Sequence, residues 1–403
     1  MSTSDTTGLV LAAGGARGAY QAGALAELLP ALADRGASPT LLVGESVGAL
    51  NAAVLAANAQ EHAHVQAEAL VDHWVSSSRS EVLRPLWRQL PAIALQYVGE
   101  TLGVPGLALR GLLSVAPLRQ MLDDRIAWER LHRNVADGRL DAVGVTATAV
   151  ATGRSVTFVE RAGSHVLPDL QDIDYHAATL GTDHVIGSAA IPMLFPPSWI
   201  DEPAAAAAWY VDGSTRLHTP LRPALDLGAD RLIVVGTTSL RRRDHRSTDH
   251  HAVDLGDAAV TLLHAMVEDS LRRDVHRLAR INTWLAEPGA DPATVALLRG
   301  IAERPPYREV PFIVIAPDDP REIGDLARAV FDDRYGGWRA LRDPDIEVMH
   351  RLLGGDSPLQ GEILSFVLFD EVFHTELVAL GRRDARRWLR ANRGARFRTT
   401  LDA

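Results

Sequence analysis

Thr40-Leu41-Leu42-Val43-Gly44-Glu45-Ser46-Val47-Gly48, followed by the run Ala49 to Ala59, is the stretch that decides the fold. A short apolar run, a small-residue break and an alanine-rich helical run predict a strand, a sharp turn and a helix, with Ser46 at the turn. A turn of this kind holds its central residue in strained backbone geometry. It needs small neighbours on both sides so that helix and strand can approach each other, and Gly44 and Gly48 supply them. Ser46 would then stand at the helix N-terminus, where the helix dipole favours a developing negative charge. The alternative reading of Gly-x-Ser-x-Gly is an ordinary glycine-rich turn capped by serine.

Upstream, Leu9 to Ala12 suit a buried strand, Gly14, Gly15 and Gly18 a tight loop, and the residues after Gly18 a helix. Glycines at such a loop let backbone N–H groups converge on one spot, which can hold a pyrophosphate or an oxyanion. A dinucleotide site requires G-x-G-x-x-G and an acidic residue after a second strand. Ala13 occupies the first glycine position, Asp34 falls at the end of the helix, and the second strand ends in the serine turn instead. Two glycine-rich turns after successive strands place an anion hole beside a nucleophile. A third element, Tyr210-Val211-Asp212-Gly213-Ser214, ends a short apolar strand with a carboxylate. Its plainer reading is an Asp-Gly turn.

Together these elements resemble the patatin-like phospholipase family. The glycine-rich oxyanion motif matches Ala13-Gly14-Gly15-Ala16-Arg17-Gly18, the nucleophile motif Gly44 to Gly48, and the Asp-Gly-Gly/Ala motif Asp212-Gly213-Ser214. Residues Gly187 to Pro197 (GSAAIPMLFPP) are similar to the family's small-residue helix end and Phe-Pro-Pro turn. Order and spacing agree over residues 8–235, with two departures: Ala13 for the first of three glycines, and Ser214 for a Gly or Ala. The resemblance implies a three-layer α/β/α sandwich and a lipid acyl hydrolase (phospholipase A, lysophospholipase or esterase-like). It also implies a catalytic dyad of Ser46 and Asp212, with Gly14, Gly15, Ala16, Arg17 and Gly18 around the oxyanion.

Composition fits a globular enzyme: 403 residues, 47% hydrophobic and 23% charged, can bury a large core. The absence of cysteine excludes disulfides, thiolate metal sites and thiol catalysis. A net charge of −10 argues against general nucleic-acid binding. The polar residues 1–7 lack the pattern of a secretory signal, and no stretch has the ~18 uninterrupted apolar residues of a spanning helix. The expected setting is therefore cytoplasmic, peripheral at a membrane surface. The expected partners are a lipid or ester substrate and a transient membrane contact, with no cofactor and no metal.

Strands alternating with helices predict a mostly parallel α/β sheet with helices on both faces. Ala142 to Val150 and Ser155 to Glu160 predict an antiparallel hairpin, Arg231 to Gly236 and Pro311 to Ala316 buried strands, and Asp257 to Leu285 and Leu359 to Leu389 helical regions. The expected organisation is a polar tail at 1–7, the hydrolase domain at 8–235 and a mainly helical extension at 236–403 packed on it. Residues 83–122, with Leu83, Leu86, Trp87, Leu90, Ile93 and Leu95 near helical spacing, suit either a wall or lid over an acyl groove or a core helix with its loop. Asp244, His245, Asp249, His250 and His251 lie in an arginine-rich loop and fit no metal-ligand spacing. Eight arginines between Arg382 and Arg398 suit a salt-bridged helix end, or contact with anionic lipid head groups.

Three competitors differ in class: an α/β-hydrolase esterase with a His-containing triad, a nucleotide-binding module on the first glycine loop, and a non-catalytic lipid-binding protein. His184, His218 and His374 lie in no persuasive catalytic motif. Arg17 is expected to anchor its loop rather than touch substrate, and Gly15→Val to destroy turnover with little change in melting temperature.

Overall fold

The computed structural model describes residues 5–82, 111, 113–163, 167–168, 172–192, 194–216, 220–241, 255–286, 308–335 and 360–401; of residues 255–270 and of residue 360 it describes the backbone alone. One sheet organises them. Its strands are β1 (Thr7–Leu11), β2 (Leu41–Glu45), β3 (Ala142–Ala149), β4 (Ser155–Glu160), β5 (Ile173–Ala177), β6 (Ser198–Ile200), β7 (Ala208–Asp212), β8 (Arg231–Val235) and β9 (Phe312–Ile315). The main order is β5-β4-β3-β2-β1-β8-β9. Pairs β1–β2, β2–β3, β1–β8, β8–β9 and β4–β5 are parallel, and β3–β4 is the expected antiparallel hairpin.

The central strands are apolar on both faces, as a sheet covered on both sides requires. Leu9, Leu11, Leu42, Ile233 and Val235 face a core shared with α1 (Gly18–Ala33), α2 (Val47–Ala57) and α3 (Ala63–Val75). Val10, Leu41, Val43, Leu232 and Val234 face the opposite core, closed by α4 (Leu221–Asp226) and by Leu271, Val275 and Leu278 of α5 (Leu255–Ala286). The result is the expected three-layer α/β/α arrangement.

The chain beyond residue 235 is woven into this frame. β9 adds a parallel strand beside β8. The helix α8 (Glu371–Ala391) crosses α1 so closely that a Cβ at Gly23 would lie 2.1 Å from Val378 O, and one at Gly381 2.1 Å from Tyr20 O. Tyr20 Oη donates to Asp384 Oδ2 at 3.1 Å across the same contact. Between β9 and α8 come α6 (Glu322–Tyr335) and α7 (Gln360–Val367), so the described part of the C-terminal segment is mainly helical, as expected. Four of the eight arginines from Arg382 to Arg398 are paired: Arg382 with Glu27 and Glu68, Arg386 with Glu27, Arg383 with Glu322, and Arg387 with Asp318. That pairing is the salt-bridged helix end of the two sequence readings. No described helix is long and apolar enough to cross a membrane.

Candidate active site

The site forms where β2 and β7 meet end to end. β3 pairs along one edge with β4 through Thr148, and along its other edge with β2 as far as Thr146, opposite Glu45. From Ala147 to Ala149 that second edge is taken by β7, running antiparallel, with Asp212 opposite Ala147. β7 therefore continues the lane that β2 leaves, and the two strand tips point at each other. Ser46 is the residue after one tip and Asp212 is the other tip. The Ser46 side chain lies close enough to the Asp212 carboxyl to favour its charged form.

Ser46 is strained as the elbow requires, with φ 54° and ψ −125° at the N-cap of α2. It is one of two described non-glycine residues with positive φ. The small neighbours are sterically obligatory: a Cβ at Gly44 would meet Gly48 O at 2.1 Å, and one at Gly48 would meet Leu11 O at 2.1 Å. The Ser46 N–H donates to Ser188 Oγ at 2.8 Å, and Ser188 Oγ donates to Thr146 O at 2.6 Å. The Asp212 N–H donates to Ala190 O at 2.9 Å. The segment Gly187–Ala190 thus fixes the backbone of both residues, which explains its small side chains.

Asp212 is almost wholly buried. Its Oδ1 accepts from the Ser214 N–H at 2.9 Å and from Ser214 Oγ at 2.6 Å. Burial raises the Asp212 pKa above the usual carboxylate value, while Ser214 and Ser46 pull it back. The net direction is upward, toward a stronger base. Glu45 sits beneath: a Cβ at Gly213 would lie 2.8 Å from Glu45 Cγ, and Glu45 Oε2 is buried with no hydrogen-bond partner among the described residues. Burial first, then the nearby Asp212 and Asp274 carboxyls, push the Glu45 pKa well up.

The first glycine turn lies beside this pair. Residues Gly15–Arg17 form one 3-10 turn leading into α1, with Gly15 at φ 56°. The Arg17 N–H donates to Gly14 O at 3.1 Å; among the described residues, no turn or loop backbone bond uses the N–H of Gly14, Gly15 or Ala16. Buried backbone donors are seldom left orphaned, and N–H groups at such a turn can donate to a bound negative oxygen. Arg17 turns away from the site as expected. It is 4% exposed, with Nε donating to Ser365 Oγ at 2.8 Å, its guanidinium paired with Glu362 at 2.5 Å and lying 4.0 Å over the Phe366 ring. Gly15 packs so tightly on α7 that a Cβ there would lie 2.2 Å from Phe366 O. Gly15→Val must therefore cost stability as well as turnover, contrary to the expectation from sequence.

A buried amide chain ties the turns together. Gln21 Nε2 donates to Ala12 O and to Val235 O, both at 2.9 Å; Asn51 Nδ2 donates to Gly18 O at 3.1 Å and to Gln21 Oε1 at 2.8 Å; Trp74 Nε1 donates to Asn51 Oδ1 at 2.8 Å. Sequence reading missed Gln21, Asn51, Ser188 and Glu362. Polar residues inside apolar helical runs, as at Gln21 and Asn51, were the available signal.

Ser46 opens on an apolar cavity of about 730 Å³ of atom-free space, its mouth included. Val47, Leu50, Trp74, Val185, Ile191 and Phe195 are among its walls. Of the sequence's proposed lid or wall, Leu113, Leu118 and Met121 line the cavity, while residues 83–110 and Leu112 lie outside the described residues. His184 is occupied elsewhere, Nδ1 accepting from the Gly181 N–H at 3.2 Å and Nε2 facing Glu202 O at 3.0 Å. His374 Nδ1 is 3.0 Å from Trp74 O. His218 and the histidines at 245, 250 and 251 lie outside the described residues. Among the described residues no cluster of acidic or histidine side chains could hold a metal.

The family model described as patatin-like phospholipase matches residues 9–225. No curated protein matches the chain. Among solved structures, the chain is similar to VipD from Legionella pneumophila at 13% identity and a TM-score of 0.36, over 96% of this chain and 67% of that one.

Proposed function

The chain belongs to the patatin-like phospholipase family, and from that premise we propose that it is a serine acyl hydrolase of lipid esters working through a Ser46–Asp212 dyad. In this reading the Ser46 hydroxyl attacks the ester carbonyl and its proton passes to Asp212. The carbonyl oxygen, now negative, is held by the amides of the Gly14–Gly18 turn. The alcohol leaves with the proton, and an acyl group stays on Ser46 Oγ. Water, deprotonated by Asp212, then releases the fatty acid and restores the hydroxyl.

The observation that carries the reading is a strained, elbow-borne serine set beside a buried aspartate at the mouth of an apolar cavity. An ordinary aspartate, with a pKa of about 3.9, is a weak base at neutral pH. Burial of Asp212 favours its neutral form and so makes it a better proton acceptor. Of the histidines weighed for a triad, His184 bonds Gly181 and Glu202 and His374 Nδ1 bonds Trp74 O, and no described histidine hydrogen-bonds Ser46. An apolar cavity suits an acyl chain, and transient contact with a membrane surface is the route by which such a substrate is reached.

The test is hydrolysis of a chromogenic short-chain ester by wild type and by Asp212→Asn, His184→Ala, His218→Ala and His374→Ala, each with its melting temperature. The dyad requires Asp212→Asn alone to lose turnover, by roughly 10³ or more for a base acting directly on the nucleophile. A histidine variant equally inactive and still folded would replace the dyad with a triad.

A further inference from the structure

The cavity wall carries one polar group that neither the proposed reaction nor the fold uses. Among the residues lining it are Ser46, His73 and Ser77. Ser77 Oγ donates to His73 O at 2.5 Å and accepts from Arg125 at 3.2 Å, so its hydroxyl is engaged. The His73 ring has no hydrogen-bond partner among the described residues, although His73 is only 8% exposed. Burial foremost, and the Arg125 charge next, push its pKa down to about 4. At neutral pH the ring is therefore an uncharged imidazole with one N–H donor and one bare nitrogen acceptor.

Once a bound chain excludes water from this place, a polar ring there costs free energy unless something pairs with it. The backbone beneath it is anchored. The Arg125 guanidinium bonds His73 O at 3.3 Å, Ser76 O at 3.2 Å and Ser76 Oγ at 2.9 Å, and is paired with Glu81 at 2.5 Å. The backbone under the imidazole is thus clamped from behind, while Leu50, Val82, Leu118 and Met121 keep the rest of the cavity apolar. A purely aliphatic chain filling this space would leave both ring nitrogens unmatched. A chain carrying one hydroxyl would give the imidazole a donor and an acceptor at once.

We propose that His73 is a specificity-determining residue that selects lipid esters whose acyl chain bears a hydroxyl group. This rests on the acyl-hydrolase reading above and adds the substrate class. A neutral hydrogen bond gained in a dry site, against the same site left unpaired, corresponds to about three- to tenfold in kcat/KM.

The experiment compares p-nitrophenyl decanoate with its 3-, 6- and 9-hydroxy derivatives, each normalised to its own alkaline hydrolysis rate, on wild type, His73→Leu and His73→Gln. The expected result is that wild type prefers at least one hydroxy ester over plain decanoate by about threefold or more. His73→Leu should lose that preference ratio, and His73→Gln, which keeps a donor and an acceptor, should retain part of it. Wild type hydrolysing decanoate with no preference for any hydroxy ester overturns the proposal, whether or not the variants fold. So does a preference that survives in His73→Leu. A folded His73→Leu that hydrolyses none of the four esters also overturns it, since the ring would then belong to the reaction. Folded wild type inert toward all four esters would instead sink the acyl-hydrolase reading itself.

Discussion

Ser214→Ala is the most informative single change outside the proposed dyad. Ser214 stands where the resembling motif has Gly or Ala, and here its hydroxyl donates to Asp212 Oδ1 at 2.6 Å, beside the N–H of the same residue at 2.9 Å. Both bonds favour the charged carboxylate and hold its pKa down against burial. Removing the hydroxyl removes one of them and leaves the backbone bond. A hydrogen bond to a charged group contributes ~1.5–3 kcal/mol, and each pKa unit corresponds to ~1.36 kcal/mol. Asp212 is 1% exposed, so solvent does little to dilute the effect. The Asp212 pKa should therefore rise further above the usual carboxylate value. The assay is the pH dependence of kcat/KM on a soluble chromogenic ester. The acidic limb should move to higher pH by about one unit or more, with the plateau rate changed by only a few-fold, because a stronger base offsets the looser carboxylate. A limb that stays in place or moves to lower pH would refute the claim that Asp212 is the titrating base and that Ser214 tunes it.

Gly15→Val should lower the melting temperature as well as turnover, because φ 56° and the approach to Phe366 O penalise any Cβ; backbone strain there alone is ~1–2 kcal/mol, and a wild-type melting curve would contradict the geometry. Arg17→Met removes the 2.5 Å pair with Glu362 and the guanidinium over Phe366, and should lower the midpoint of chemical denaturation; an unchanged midpoint would mean the pair carries little weight. Glu45 has a folded pKa above its unfolded value, so the fold is fully favoured by this group below the unfolded pKa of ~4.3 and loses that contribution as pH rises toward the folded pKa. Glu45→Gln cannot ionise, so its melting temperature relative to wild type should climb as pH rises from about 4 to about 8; a flat or falling difference would mean that Glu45 ionises freely in the fold.

The features written in local pattern are legible in the amino-acid sequence. Gly44 to Gly48 and Gly14 to Gly18 announce their turns because only small residues permit strand and helix backbones to meet so closely, and runs such as RLIVV and FIVI are buried on both faces. The meeting of β2 with β7 is not legible in this way. It depends on β3 carrying two partners along one edge, a pairing between residues far apart in sequence. The glutamate that anchors Arg17 lies 345 residues away, on a helix with no motif of its own. Glu45 and His73 escape a sequence reading for a related reason. A glutamate after a strand and a histidine in an amphipathic helix read as solvent-facing until packing buries them.

The central claim is that Ser46 is the nucleophile, and it is tested most directly by covalent capture. Purified protein is treated with a fluorophosphonate, and the adduct is located by peptide mass mapping. The account predicts one adduct per chain, on the peptide containing Ser46, with none formed by Ser46→Ala and slow formation in Asp212→Asn. An adduct on another residue, or undiminished labelling of Ser46→Ala, would contradict it.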